Sequence, residues 1–423
     1  MSRLDTILDR ASKGEAVVMT AEEVCSLAQE GEEIALGDVD VVTAATRAVM
    51  SGTYAVLSFP VDGPPFSRAR AAYLNGVPAE IGPCPNEHLS ILDMIVFGTA
   101  RSREDPRYGG GHLFRDLVAK DEVRVDVETV EGRPFSTDIA IDEIPCARLF
   151  GTRHCFSNYS AFVNRGRNPL STIFHATDFG PLLGECTFSG CGEINPLKCD
   201  PLLDTIGVGS RILMNGGEGF VIGQGTRSTP ARPNLSGFAD MHKMDPEYMG
   251  GFNTSAGPEC VTSWGVPIPV INDRVLDSIK RTDREIPVPV MDVATRKEIA
   301  RADYGSLWDG ADLKVSIHPK RCRGCNSCSS CRAEDLCPTG AISIREGVPK
   351  LDGRRCFNCG LCTRACPDGV FSARLGRITL EGREIPVALR QSDRLRALRL
   401  ARDLKRRIQE GSFKMTRMVE GIL

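Results

Sequence analysis

Cys322-Arg-Gly-Cys325-Asn-Ser-Cys328-Ser-Ser-Cys331, then Cys337-Pro338, then Cys356-Phe-Asn-Cys359-Gly-Leu-Cys362-Thr-Arg-Ala-Cys366-Pro367 holds nine of the chain's 17 cysteines. The second run has the spacing C-x2-C-x2-C-x3-C-P. In that spacing three neighbouring thiolates ligate three irons of one cubane, and the fourth cysteine crosses to a second cluster. Cys356, Cys359 and Cys362 are therefore expected to hold one [4Fe-4S] cluster with Cys337. Cys366 is expected to complete another with Cys322, Cys325 and one further thiol. Cys328 is the expected ligand there, because it keeps C-x2-C-x2-C intact and lets the following segment loop outward; Cys331 is the alternative. Paired C-x2-C motifs also bind structural zinc. Two runs that each close on Cys-Pro favour iron–sulfur.

The two runs mark a bacterial-type 2[4Fe-4S] ferredoxin module over residues 311–373. The expected organisation is a body over 1–310, this module, and a hairpin with a basic helix over 374–423. A chain of 423 residues suits two or three domains. Its 41% hydrophobic and 25% charged content is that of a globular protein. No apolar run reaches the length of a membrane span, and the N-terminus lacks the pattern of a secretory signal. The eight cysteines outside the module are scattered singly, which fits free thiols in a reducing cytoplasm. Oxygen-sensitive clusters suit an anaerobe.

Charge is divided unevenly. From Lys320 onward there are 22 Lys+Arg against 11 Asp+Glu, and the remainder has 30 against 44, so +11 and −14 sum to the net −3. A basic tail beside an acidic body can signal nucleic acid. Packing of the tail on the body, or on an acidic redox partner, explains it better, and no nucleic-acid binding is expected.

Before the module, a capping box at Thr20-Ala-Glu-Glu23 predicts a helix over Ala21–Glu30. The β-branched run at Val39–Ala44 and segments at Tyr54–Phe59, Ile91–Gly98 and Val123–Thr129 predict strands. Strands alternating with helices argue for an α/β body with a mixed sheet, joined to an α+β ferredoxin module and a terminal helix. Gly109, Gly110 and Gly111 precede a predicted helix at Leu113–Ala119, where exposed backbone N–H groups suit an anion. Gly216 and Gly217 follow a strand-like run and suggest close approach to a ligand or cofactor, though without a nucleotide fingerprint. After the module, Arg377–Val387 reads as a hairpin turning at Glu381-Gly382, and Ser392–Gln409 as an amphipathic helix.

The body resembles the homocysteine-biosynthesis, sulfur-incorporation family of archaea and anaerobic bacteria. The stretches that carry the likeness include Val39–Thr43, Tyr73-Leu-Asn75, Asp105–His112, Asn158-Tyr159, Asn195-Pro-Leu197, Asp200–Gly209, Asn215–Gly219 and Gly265–Pro269. With its fused ferredoxin the chain looks like the methanogenesis marker 16 metalloprotein subgroup. The resemblance implies delivery of sulfur from a thiol to a small carbonyl compound of the aspartate-semialdehyde type, with electrons from iron–sulfur clusters. It implies a redox partner, a small-molecule substrate and a cytoplasmic setting in methanogen metabolism. The other reading is a non-catalytic electron carrier or maturation factor. The family's sulfurtransferases have cysteines where this chain has Ser51 and, by alignment, Ser189.

Candidate nucleophiles among the body thiols are Cys191, Cys186 and Cys84, with Cys155 behind them. A thiol needs a lowered pKa to act so, and a buried packing role is the alternative for each. Cys84, Cys186 and Cys191 are also candidates to hold a third metal centre jointly. His112 is a candidate acid–base group. Arg107, Arg153 and Arg211 are candidate partners for a substrate carboxylate.

Overall fold

Val41–Val49 carries β-branched and alanine side chains without polar alternation, and in the computed structural model it is a strand covered on both faces. The described residues are 2–84, 90–324 and 330–422. This strand pairs along its whole length, antiparallel, with the long strand Gly257–Pro269. Its other edge takes the short strand Val18–Thr20 in parallel. Among the described residues these belong to a 14-stranded sheet. From Gly257–Pro269 the sheet continues through Arg211–Met214, Gly217–Gln224, Leu235–Asp240, Cys146–His154, Thr53–Pro60 and Ile91–Phe97. It ends through Val77–Ile81, Ala69–Leu74 and Val123–Thr129 at Phe135–Ile139.

The body is thus mixed α/β, as expected, but its sheet is chiefly antiparallel. Hairpins join several of its neighbouring strands. Asn75-Gly76 and Asn215-Gly216 each pair two positive-φ residues at a two-residue turn, the geometry that matches strand twist in a hairpin. Gly216 and Gly217 are accounted for here: they turn the chain between two strands, with Gly216 against the Tyr248 ring. The capping box at Thr20 is formed, and its helix spans Ala21–Glu30.

A second sheet of six strands runs Glu298–Asp303, Pro287–Asp292, Ala161–Val163, Cys186–Phe188, Arg383–Arg390 and Arg377–Leu380. Its last two strands follow the cysteine-rich stretch in sequence. The chain therefore leaves the body, traverses the module and returns as a strand parallel to Cys186–Phe188. It then enters the helix Arg394–Gln409, which packs on Val41–Val49 and Gly257–Pro269. The basic residues of that helix meet the body's acids: Arg402 pairs with Glu22, Lys405 with Glu23 and Arg399 with Glu247. This is where the tail's excess positive charge goes. The module docks through Phe357, Cys359 and Leu361 against Phe252, Val261 and Leu389, with Phe357 and Phe252 edge to face at 5.2 Å.

Candidate active site

Four separated stretches meet at one small cavity. Ser51 and Gly52 come from the turn after Val41–Val49, Arg153 from Cys146–His154, Ser189 and Gly190 from the loop after Cys186–Phe188, and Glu259 from Gly257–Pro269. Gln391 and Ser392 close it from the segment between the returning strand and the C-terminal helix. Its volume is about 80 Å³, well below the ~300–1,000 Å³ of pockets for drug-sized ligands. Phe156, Tyr159 and Phe174 supply an aromatic side. Ser51 and Ser189, the positions at which the resemblance sets the family's cysteines, thus line one cavity.

The turn carrying Ser51 is held from below. Trp264 donates its indole N–H to His154 Nδ1 at 3.0 Å, so the ring proton sits on Nε2 and points to Thr53 Oγ1 at 2.7 Å. Thr53 in turn donates to the Met50 carbonyl at 2.9 Å. Burial holds His154 neutral, with its pKa lowered to about 3. Gly52 is required by a close approach: a Cβ there would lie 3.0 Å from Arg153 Cβ and 2.8 Å from Thr152 Oγ1.

Two polar atoms of the cavity's lining residues lack hydrogen-bond partners. Glu259 is 6% exposed, and its Oε2 is buried without a hydrogen bond. Burial pushes the Glu259 carboxyl up, and a hydrogen bond from Ser51 opposes this only in part. Arg153 Nε is also buried and unsatisfied, while its guanidinium lies 5.1 Å over the Phe156 ring. Among the described residues Arg153 forms no ion pair. Of the other candidate arginines, Arg107 donates to the Cys337 carbonyl at 3.1 Å and Arg211 pairs with Glu218 at 3.2 Å. Neither lines the cavity.

The candidate thiols lie elsewhere. Cys191 is fully buried behind the Ser189-Gly190 wall, its Sγ 3.7 Å from Thr46 Oγ1 and 3.8 Å from the Arg47 carbonyl. Gly190 and Gly192 flank it because Cβ atoms there would strike Tyr304 and Asp283. Burial pushes the Cys191 thiol up, opposite to what a nucleophile needs. Cys186 is buried in its strand with Sγ 3.9 Å from the Ile385 carbonyl, and burial raises it as well. Cys155 is buried and raised likewise. Cys84 is exposed on a loop beyond Val77–Ile81 and does not line the cavity. Cys84 on its exposed loop, Cys186 against the Ile385 carbonyl and Cys191 against Thr46 and Arg47 have separate surroundings, so these thiols are not gathered as a third centre.

His112 also departs from its expected role. Its Nδ1 accepts from the Gly109 amide at 3.2 Å, and burial lowers its pKa to about 4. It lines a different, charged cavity beside the module. The amides of Gly110 and Gly111 are spent on the carbonyls of Ala100 and Gly98, both at 2.9 Å. The three glycines let the helix Gly110–Val118 abut the sheet, and no free N–H group remains there for an anion.

In the module, the thiols of Cys356, Cys359 and Cys362 are pushed up first by burial and then by neighbouring thiols, Cys337 among them. Backbone amides of Ala341 and Asn358 reach Cys337 Sγ at 3.2 Å and Cys356 Sγ at 3.4 Å. Four mutually opposed thiols with amides aimed at sulfur fit a cationic iron core, against which they can ionise. Cys322, Cys331 and Cys366 line a second cavity of about 520 Å³. Cys325 and Cys328 lie outside the described residues, so the choice of Cys328 is not addressed there; Cys331, the alternative, does line this cavity.

The chain matches the family described as homocysteine biosynthesis enzyme, sulfur-incorporation, over residues 16–415. It belongs to that family. An uncharacterized protein of Methanothermobacter thermautotrophicus is 44% identical over 97% of this chain and 93% of its own length. The L-aspartate semialdehyde sulfurtransferase of Methanocaldococcus jannaschii is 33% identical over 76% of this chain and 65% of its own. An uncharacterized ferredoxin of the same organism is 40% identical over 47 residues, 11% of this chain and 31% of its own, in the C-terminal region. No solved structure matches. In the described residues no helix is long and apolar enough to cross a membrane.

Within this sulfur-incorporation family the residue that sequence reasoning passed over is Glu259. Its signal was present: one acid lies within Gly257–Pro269, a strand buried almost throughout. An acid in such a strand is seldom there without a partner or a task.

Proposed function

We propose that this chain reductively incorporates sulfur into a small carbonyl compound in the Ser51–Ser189 cavity, with electrons from a two-cluster ferredoxin module. Written for an aldehyde, R–CHO + H₂S + 2e⁻ + 2H⁺ gives R–CH₂–SH + H₂O. Two [4Fe-4S] clusters, when bound, supply single electrons in succession. Cys337, Cys356, Cys359 and Cys362 would hold the inner cluster. Cys322, Cys366, Cys325 and either Cys328 or Cys331 would hold the outer one, where a redox partner can dock.

One observation carries this reading. The Cys359 carbonyl accepts the Arg390 amide at 2.9 Å, and the next two residues, Gln391 and Ser392, line the cavity. Ser392 Oγ accepts the Gly190 amide at 2.8 Å and lies 3.4 Å from Ser189 Oγ. The inner ligand loop is thus joined to the cavity wall by one hydrogen bond and a short run of backbone. A pure carrier has no use for such a cavity at its inner face. Because Ser51 and Ser189 line the cavity and no cysteine does, sulfur enters as sulfide or on a carrier, not on a body thiol.

The test is anaerobic reconstitution, with about eight irons per chain expected, followed by reduction with dithionite and removal of excess reductant. Addition of a short aldehyde acid with sulfide should reoxidise the clusters and yield one thiol per two electrons. Clusters that stay reduced would leave the carrier reading. Zinc in place of iron would remove the electron source altogether.

A further inference from the structure

We propose that Glu259 is the proton donor of the cavity and Arg153 the anchor for the substrate's carboxylate. This rests on the reading of the cavity as the site of sulfur incorporation. Both groups line it, and each presents a buried polar atom with no partner in the protein. A buried polar atom left without a hydrogen bond is costly to the fold. The fold carries these two atoms on sequence-remote strands, on residues that line the same small cavity as Gln391 and Ser392.

Their chemistry is complementary. An uncommitted guanidinium binds a carboxylate with charge-assisted hydrogen bonds. A carboxyl group that burial biases toward its protonated form can donate a hydrogen bond and then a proton. The step assigned to Glu259 is addition of hydrosulfide to the carbonyl. HS⁻ attacks the carbonyl carbon, forming the C–S bond. The C=O π pair moves to oxygen, and that oxygen takes the proton of Glu259. R–CHO, HS⁻ and the Glu259 acid thus become R–CH(OH)–SH and the Glu259 carboxylate, with no change in oxidation state of the protein. Ser51 is placed to steady the carboxylate formed.

The experiment uses the full chain with its clusters reconstituted and no reductant. Binding of 4-oxobutanoate is followed by calorimetry, with butanal as the probe lacking a carboxylate. Thiohemiacetal formation on adding sulfide is followed by NMR of the ¹³C-labelled aldehyde carbon. Wild type should bind 4-oxobutanoate well and butanal poorly, and Arg153→Met should weaken the acid by tenfold or more while leaving butanal unchanged. Glu259→Gln, which keeps a hydrogen-bond donor of the same shape, should leave binding nearly unchanged. It should slow addition by about a hundredfold, the lower end for a lost acid. The wild-type rate should fall as pH rises through the raised pKa of Glu259, and the glutamine variant should show no such fall. Iron content and thermal unfolding report that each variant has folded. Equal affinity for the two probes, or an unaltered rate and pH profile in Glu259→Gln, would overturn the assignment. Since no electrons are used, these outcomes are separate from whether the clusters deliver electrons.

Discussion

Ser189 and Cys191 lie two positions apart and face opposite ways. The loop between Phe188 and Gly192 uses two positive-φ glycines, Gly190 at 132° and Gly192 at 68°. That curvature turns Ser189 toward the cavity and Cys191 into the core. A cysteine between glycines reads from sequence as an exposed thiol. Its burial depended on Asn158, Tyr304 and Asp283, which arrive from distant parts of the chain. The consequence is testable. Cys191→Ser puts a hydroxyl beside Thr46 Oγ1 and the Arg47 carbonyl, both able to hydrogen-bond it. The variant should keep its iron and its sulfur-incorporating rate within about tenfold, a barrier change of at most ~1.4 kcal/mol. A catalytic thiol replaced by serine would instead lose nearly all turnover, which steady-state assay distinguishes at once. The module's cysteines were legible for the opposite reason: their spacing is local, and ligation is written into a few consecutive residues.

At the scale of elements, the helix Gly110–Val118 shows how a glycine run can mislead. Exposed amides at a helix N-terminus suggest an anion, yet here each is consumed by the sheet edge beneath. A Cβ at Gly110 would lie 2.1 Å from the Phe97 carbonyl oxygen and 2.8 Å from Gly98 Cα, both backbone atoms that cannot swing aside. Gly110→Ala should therefore destabilise the protein toward the upper end of the ~1–3 kcal/mol typical of overpacking. Anaerobic urea unfolding would read this as a lower midpoint at unchanged slope. If the variant unfolds like wild type, the helix sits less tightly than drawn. Strands with clean β-branched runs were legible, as at Val123–Thr129, where expectation and structure coincide. Gly257–Pro269 was only partly legible. Its end, Pro267-Ile-Pro-Val-Ile271, reads as an extended segment, but its length and its pairing on both edges depend on distant strands. The cavity was less legible still, because Ser51, Arg153, Ser189 and Glu259 meet only through sheet register.

At the scale of the molecule, the chain is stitched together by its return path. After the module, Arg390–Ser392 passes the inner ligand loop and the cavity wall, and the helix that follows begins with a buried ion triad. Arg394 Nη2 meets Glu193 Oε1 at 2.7 Å, and its Nη1 pairs with Asp283, all three side chains being at most 10% exposed. Asp283 Oδ1 also takes the Glu193 amide at 2.7 Å, directly beneath the Gly190–Gly192 loop. Removing the cation would leave two carboxylates buried beside each other. Glu193 is already pushed up by burial first and Asp283 second, with Arg394 opposing both. Arg394→Met should then cost about 3–5 kcal/mol, the usual penalty for stripping one partner from a buried pair. The sign with pH follows from the raised carboxyl: in the variant the loss is full where Glu193 would be ionised, and shrinks as acid neutralises it. Adding Asp283→Asn should recover part of the loss, since only one buried carboxylate then remains. The double variant would be compared with each single one by anaerobic denaturation at neutral and mildly acid pH. A penalty independent of pH, with no recovery in the double variant, would mean that Arg394 acts through its packing against Trp308, over which its guanidinium lies at 5.5 Å, and not through its charge.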